Sequence, residues 1–166
     1  FLLAGPDSLW RVTAGSAEVL LSRVTLRGEL TGRRHLFSVG PGDLLCGLGL
    51  SPLQQPLELV AMGSQDFALC PVSLGDLYTP RDDHRQPTPT QAPQEDDVGL
   101  RALAEWMQRL AQSVATLQQN PAAAVVPTLP QGSPALLRQR LILFQQAMLR
   151  GLIEGDRREQ VQEKQR

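Results

Sequence analysis

The sequence predicts an α+β chain: an N-terminal β-domain, then a polar linker, then two amphipathic α-helices. Three observations carry that reading. Apolar residues alternate through residues 9–72 with the period of a half-buried strand. Every large apolar residue vanishes across residues 80–97. From residue 98 onward the apolar spacing changes to threes and fours.

The elements follow in order. In "LWRVTAG", Trp10, Val12 and Ala14 alternate with Arg11 and Thr13. "SAEVLLSRVTL" continues as strand, with Ala17, Val19 and Leu21 on one face and Glu18 on the other. "RGELTGRR" reads as a polar, glycine-punctuated hairpin loop, and "HLFSV" resumes the alternation with Phe37 and Val39 together. "GPGD" puts Pro41 and Gly42 where a type II turn needs a fixed φ followed by a positive one. "LELVAM" and "FALCPV" flank the turn "GSQD" as a last hairpin. Short strands at this spacing mean a sandwich or barrel.

Residues 80–97, "PRDDHRQPTPTQAPQEDD", bury too little to offset their ordering entropy, and His84 within them is read as solvated. A helix is expected over 98–119. Leu100, Leu103, Met107, Leu110, Val114 and Leu117 form a heptad seam suited to packing along another helix. Asp96 and Asp97 stand just before it as dipole partners and caps. Trp106 falls beside the seam and is expected against a different surface. Residues 120–133 form a Pro-rich connector. Ser133 caps the last helix, with Pro134 at its first position. That helix carries Leu137, Leu141, Phe144 and Met148, with Leu149, Leu152 and Ile153 widening the stripe. After Gly155 the charged tail is expected to lead out of the domain. The expected divisions are therefore 1–79, 80–97, 98–119, 120–133 and 134–166.

Composition narrows the function. A chain of 166 residues that is 42% hydrophobic can build a packed core, and a net charge of −1 argues against a sequence-independent grip on nucleic acid. No apolar run approaches the roughly 20 residues that cross a bilayer. A first residue Phe1 rather than Met leads us to expect a piece of a longer chain. Cys46 and Cys70 both lie in apolar strand patterns and are read as small buried thiols.

No catalytic constellation emerges. A metal-binding β-barrel needs two or three converging histidines and a carboxylate, and the β-domain offers His35 alone. Cys46 with His35 is the one conceivable nucleophile and base, and no third group orients it. "GLGLSP" is followed by no helical pattern and is not a phosphate loop. We therefore expect no cofactor, no metal and no enzyme in this segment.

The segments "LWRV", "GSAEV", "VGPGD", "LCGL" and "ELVAM", in that order, resemble a cyclic-nucleotide-binding domain. The resemblance implies a β-roll (jelly roll) whose pocket would involve Gly42, Asp43, Gly47, Leu48 and Gln55. In that family a glutamate after the loop glycine holds the ribose hydroxyl and a late arginine pairs with the cyclic phosphate. Here Leu48 and Gln55 stand there, with Gln54 beside Gln55. Charge-assisted bonds contribute about 1.5–3 kcal/mol each. Their loss weakens binding by roughly two to four powers of ten, so the pocket reads as degenerate.

With "EWMQRLAQSV", "LLRQRLILFQQAMLRGL" and "RREQVQEKQR" added, the chain resembles the N-terminal cytoplasmic region of the ABC transporters of NHLM-type bacteriocin systems. That resemblance implies a regulatory or docking module at the cytoplasmic face of a bacterial inner membrane. It implies a transporter core or a second protomer of a homodimer as partner, and a cargo leader peptide as a further one. Leu100, Leu103, Trp106, Met107, Leu110, Val114 and Leu117 would be the interaction surface, unless the seam covers its own barrel. The alternative is a ligand sensor for a cyclic nucleotide or other small molecule. A transcription regulator would need a basic DNA-reading element in 98–166, and none is expected.

Overall fold

The computed structural model describes the chain except residues 2, 4, 6, 49–56, 78–95 and 131–132, with the backbone alone described at 96–97. Its first part is six strands: β1 (Leu9–Ala14), β2 (Ala17–Val24), β3 (Leu30–Val39), β4 (Leu44–Cys46), β5 (Leu57–Gly63) and β6 (Ala68–Val72). They form two three-stranded antiparallel sheets, ordered β4-β1-β6 and β3-β2-β5. A 3-10 turn, Gly75–Leu77, follows, and then helices α1 (Asp96–Gln118) and α2 (Pro134–Lys164). The chain is therefore α+β.

Strand β2 is the centre of its sheet because Ala17, Val19 and Leu21 turn to the core while Glu18 faces water. The outer edges of that sheet are covered from both sides. Ser113 Oγ and Arg109 Nη1 of α1 donate to the carbonyls of Leu36 and Ser38 on β3, at 3.3 and 3.1 Å. On the far edge, the nitrogens of Leu3 and Ala61 donate to the carbonyls of Leu59 and Phe1, at 2.9 and 2.8 Å. Such covering removes the unpaired edge that would otherwise template aggregation.

The two turns expected from the sequence form. Gly42 sits at φ +90° behind Pro41, and Asp43 N donates to Gly40 O at 3.0 Å. Phe67 N donates to Ser64 O at 3.0 Å in the turn between β5 and β6, but the last hairpin expected there does not form, because β5 pairs with β2 and β6 with β1 in the other sheet. Ser133 caps α2, its hydroxyl accepting from Leu136 N at 3.4 Å with Pro134 just inside.

Several expectations are corrected. "RGELTGRR" is not all loop: the turn ends by Glu29, and Leu30–Arg34 belong to β3, an edge strand too exposed for apolar alternation to mark it. Helix α1 starts at Asp96, so Asp96 and Asp97 lie in its first turn and not before it. Cys46 is fully buried, but Cys70 is exposed. The charged tail does not leave at Gly155. Helix α2 runs on to Lys164, and Asp156 is buried against β2, where Arg23 Nε and Nη2 reach its Oδ1 at 2.7 and 2.6 Å. Arg34 pairs with Glu159. Arg158 donates to Gln118 O at 2.8 Å, closing the C-terminus of α1 where a cation is favoured. The linker 80–95, with His84, lies outside the described residues.

The seam of α1 is spent inside the chain. Leu103, Met107, Leu110, Val114 and Leu117 are buried in one cluster with β1, β2, β4 and α2, and Leu100 is packed against it. Trp106 joins that same core, edge-on to Phe144 of α2 with ring centroids 6.5 Å apart. Two glycines set the approach of the helices: a Cβ at Gly151 would lie 2.4 Å from Val114 Cγ1, and one at Gly155 would lie 2.8 Å from Leu117 Cβ.

Candidate functional site

The residues singled out by the nucleotide-domain resemblance fall in two places. The first is the Gly40–Asp43 turn. Gly42 N donates to Val12 O and Val12 N to Asp43 O, both at 2.9 Å, which fastens the turn to β1. The Asp43 carboxylate then folds back: Oδ2 accepts from Gly40 N at 2.8 Å and from Arg109 Nη1 at 3.1 Å. With Ser38 O also taken, Arg109 clamps the turn to α1. The Asp43 carboxylate and the Arg109 guanidinium are thus occupied with each other.

The second place is Gly47–Leu48. Gly47 N donates to Ser8 O at 2.9 Å, and Gly47 O accepts from Gln145 Nε2 of α2 at 2.7 Å in a buried bond. Leu48 N donates to Leu3 O at 3.2 Å, and the Leu48 side chain belongs to the core at 6% exposure. A carboxylate here would be taken out of water into the core, which is costly. Gln55 and Gln54 lie outside the described residues.

The remaining chemistry is sparse. Cys46 is enclosed by apolar side chains, and burial pushes its thiol well up, away from the thiolate form that attacks. His35 faces outward, 3.3 Å from Glu18 and 3.4 Å from Ser38. The sequence-level pair of Cys46 and His35 is therefore split between core and surface. Among the described residues, no three His, Cys, Asp or Glu side chains stand together to hold a metal. No described helix is long and apolar enough to cross a membrane. Beside the turn, the hollow lined by Arg34, His35, Phe37, Arg109 and Ser113 holds about 260 Å³, below the range of about 300–1,000 Å³ common for ligand pockets.

Two residues at this site were not anticipated. Arg109 looks like an ordinary polar-face residue of α1. Gln145 carried a signal: it interrupts the apolar stripe between Phe144 and Met148, where a polar side chain needs a buried partner.

No family model, curated protein or solved structure matches this chain.

Proposed function

We propose that the chain is a non-catalytic regulatory or docking module of a bacterial peptide-exporting ABC transporter, with a β-roll whose nucleotide pocket is degenerate. In the parent protein it would lie at the cytoplasmic face of the inner membrane and meet the transporter core. One observation supports the reading above the others. Leu48, at the position where the resemblance wants a ribose-binding glutamate, is part of the core, and the carbonyl before it is taken by Gln145. The retained Pro41-Gly42 turn then serves as a fastening point for α1 and not as a ligand cradle.

A thermal-shift series with cyclic AMP, cyclic GMP and cyclic dinucleotides tests the pocket. A ligand at a hundred times its dissociation constant adds about 2.7 kcal/mol, which moves the melting temperature of a chain this size by about 5–10 °C. The expected shift is nil. A shift of that size with any one of them overturns the reading in favour of a ligand sensor. Docking is tested by co-purification of this chain with the separately expressed membrane and ATPase part of the parent exporter, and failure to associate overturns that half.

A further inference from the structure

The inward stripe of α2 is matched by an outward one. Leu143 and Val161 are 58% and 55% exposed. They stand five full turns apart and so share one face. Arg150 and Glu154 lie between them on that face, both exposed. Along this flank α2 and the connector residues Ala122, Val125 and Pro127 enclose an open groove of about 660 Å³, floored by Val114 and Phe144. Arg140 bonds the Thr128 carbonyl and holds the connector in place as the groove wall.

The order of these side chains is self-complementary, and we propose that the groove takes α2 of a second copy of this chain, antiparallel. A two-fold axis level with Leu152 sets Leu143 against Val161 of the second copy and Arg150 against Glu154 of the second copy. Symmetry repeats each contact, as an isologous dimer requires. A parallel pairing in register would set arginine on arginine and glutamate on glutamate, so the charges select the antiparallel sense. Gln118 Nε2 holds Glu154 by Oε2 at 3.0 Å, which orients the carboxylate and leaves Oε1 for the incoming arginine. From Arg140 to Lys164 the stripe runs about 36 Å, and the connector wall adds to the contact. This is the scale from which an interface of about 800 Å² per partner is built. Arg140 and Lys164 oppose one another at the rim as a like-charge pair.

The inference names the partner of the docking module proposed above and rests on that reading only for its place in the cell. Analytical ultracentrifugation of the 166-residue chain over a concentration series tests it. A dimer is expected. Arg150→Glu and Glu154→Arg should each weaken it about tenfold, and the double variant should recover the original strength. Leu143→Asp should weaken it about a hundredfold, since two apolar contacts are lost. Lys164→Glu should tighten it. Circular dichroism checks that each variant is folded, and Arg150 is suited to this because its side chain reaches only its own helix, at Gln146 O. A chain that stays monomeric contradicts the proposal. So does a dimer indifferent to Arg150→Glu, or a double variant that does not recover. A monomer would leave the degenerate-pocket reading standing, and nucleotide binding would leave the dimer standing, so the two fail separately.

Discussion

The two helices carry similar apolar patterns and end in different roles. Helix α1 is flanked by β3 and β4 on one side and α2 on another, and of its large apolar residues only Val98 is exposed. Helix α2 gives Leu137, Leu141, Phe144, Met148 and Leu152 to the core and leaves Leu136, Leu143 and Val161 outside. An amphipathic period says that a face will be covered. What covers it depends on how many neighbours the topology supplies. A helix wedged between sheet and helix uses up its apolar residues within the chain, whereas α2 has neighbours on one flank only among the described residues.

Leu110→Asp attacks the enclosed side of this comparison hardest. Leu110 is fully buried, and an unpaired carboxylate there costs an amount comparable with the whole stability of about 5–15 kcal/mol. The cooperative melt should disappear. A folded protein with an ordinary melt would mean that the seam is open to a partner after all. Gly151→Leu comes next, because the helix contact has no room beside Val114. A loss of about 1–3 kcal/mol is expected in urea unfolding. Gly151→Ala should be milder, since about 1 kcal/mol of helix propensity offsets the clash.

Asp156→Ala probes whether the tail is held. It leaves Arg23 without its carboxylate, and a loss of about 1–2 kcal/mol is expected. Faster amide exchange over residues 156–164 should accompany it. Unchanged exchange would mean that the ion pair does not anchor the end of α2.

The smallest effect belongs to the turns. Bonds from the Ser64 hydroxyl and from Ser73 N hold Asp66 and Asp76 below the ordinary carboxylate range. A depressed folded pKa gives stability that is complete above the unfolded value, about 3.9, and is lost as pH falls through the folded one. Asp66→Asn and Asp76→Asn should each lower stability slightly at neutral pH, where the contribution is complete, and change it little at the acid end, so that the profile flattens below about pH 4. Thiol labelling sharpens the contrast of inside and outside in a different way. Cys70 should react at once in the native protein and Cys46 only on unfolding.

What the sequence shows of this fold is what local chemistry decides. Pro41-Gly42, the 63–66 turn, the Ser133 cap and the stripe from Leu137 to Met148 each follow from residues within one turn or one element. The hidden parts were long-range or had no period. Arg23 and Asp156 stand 133 positions apart, and nothing near either names the other. Leu30–Arg34 is an edge strand with little burial to impose alternation. Gly151 and Gly155 are spaced to let two helices close in, but the spacing alone does not say which residues of α1 they meet. Of the site, Gly42, Asp43, Gly47 and Leu48 were legible as positions. Their fastening by Arg109 and Gln145 was not, because both partners arrive from helices beyond the linker.

Leu48→Glu, melted with and without cyclic nucleotide, tests the core placement of Leu48 most directly. The account predicts a large fall in melting temperature that no nucleotide reverses, because the new carboxylate is desolvated in the core. An unchanged melting temperature that rises when cyclic nucleotide is added would contradict it, since a working pocket would then lie where the structure has core.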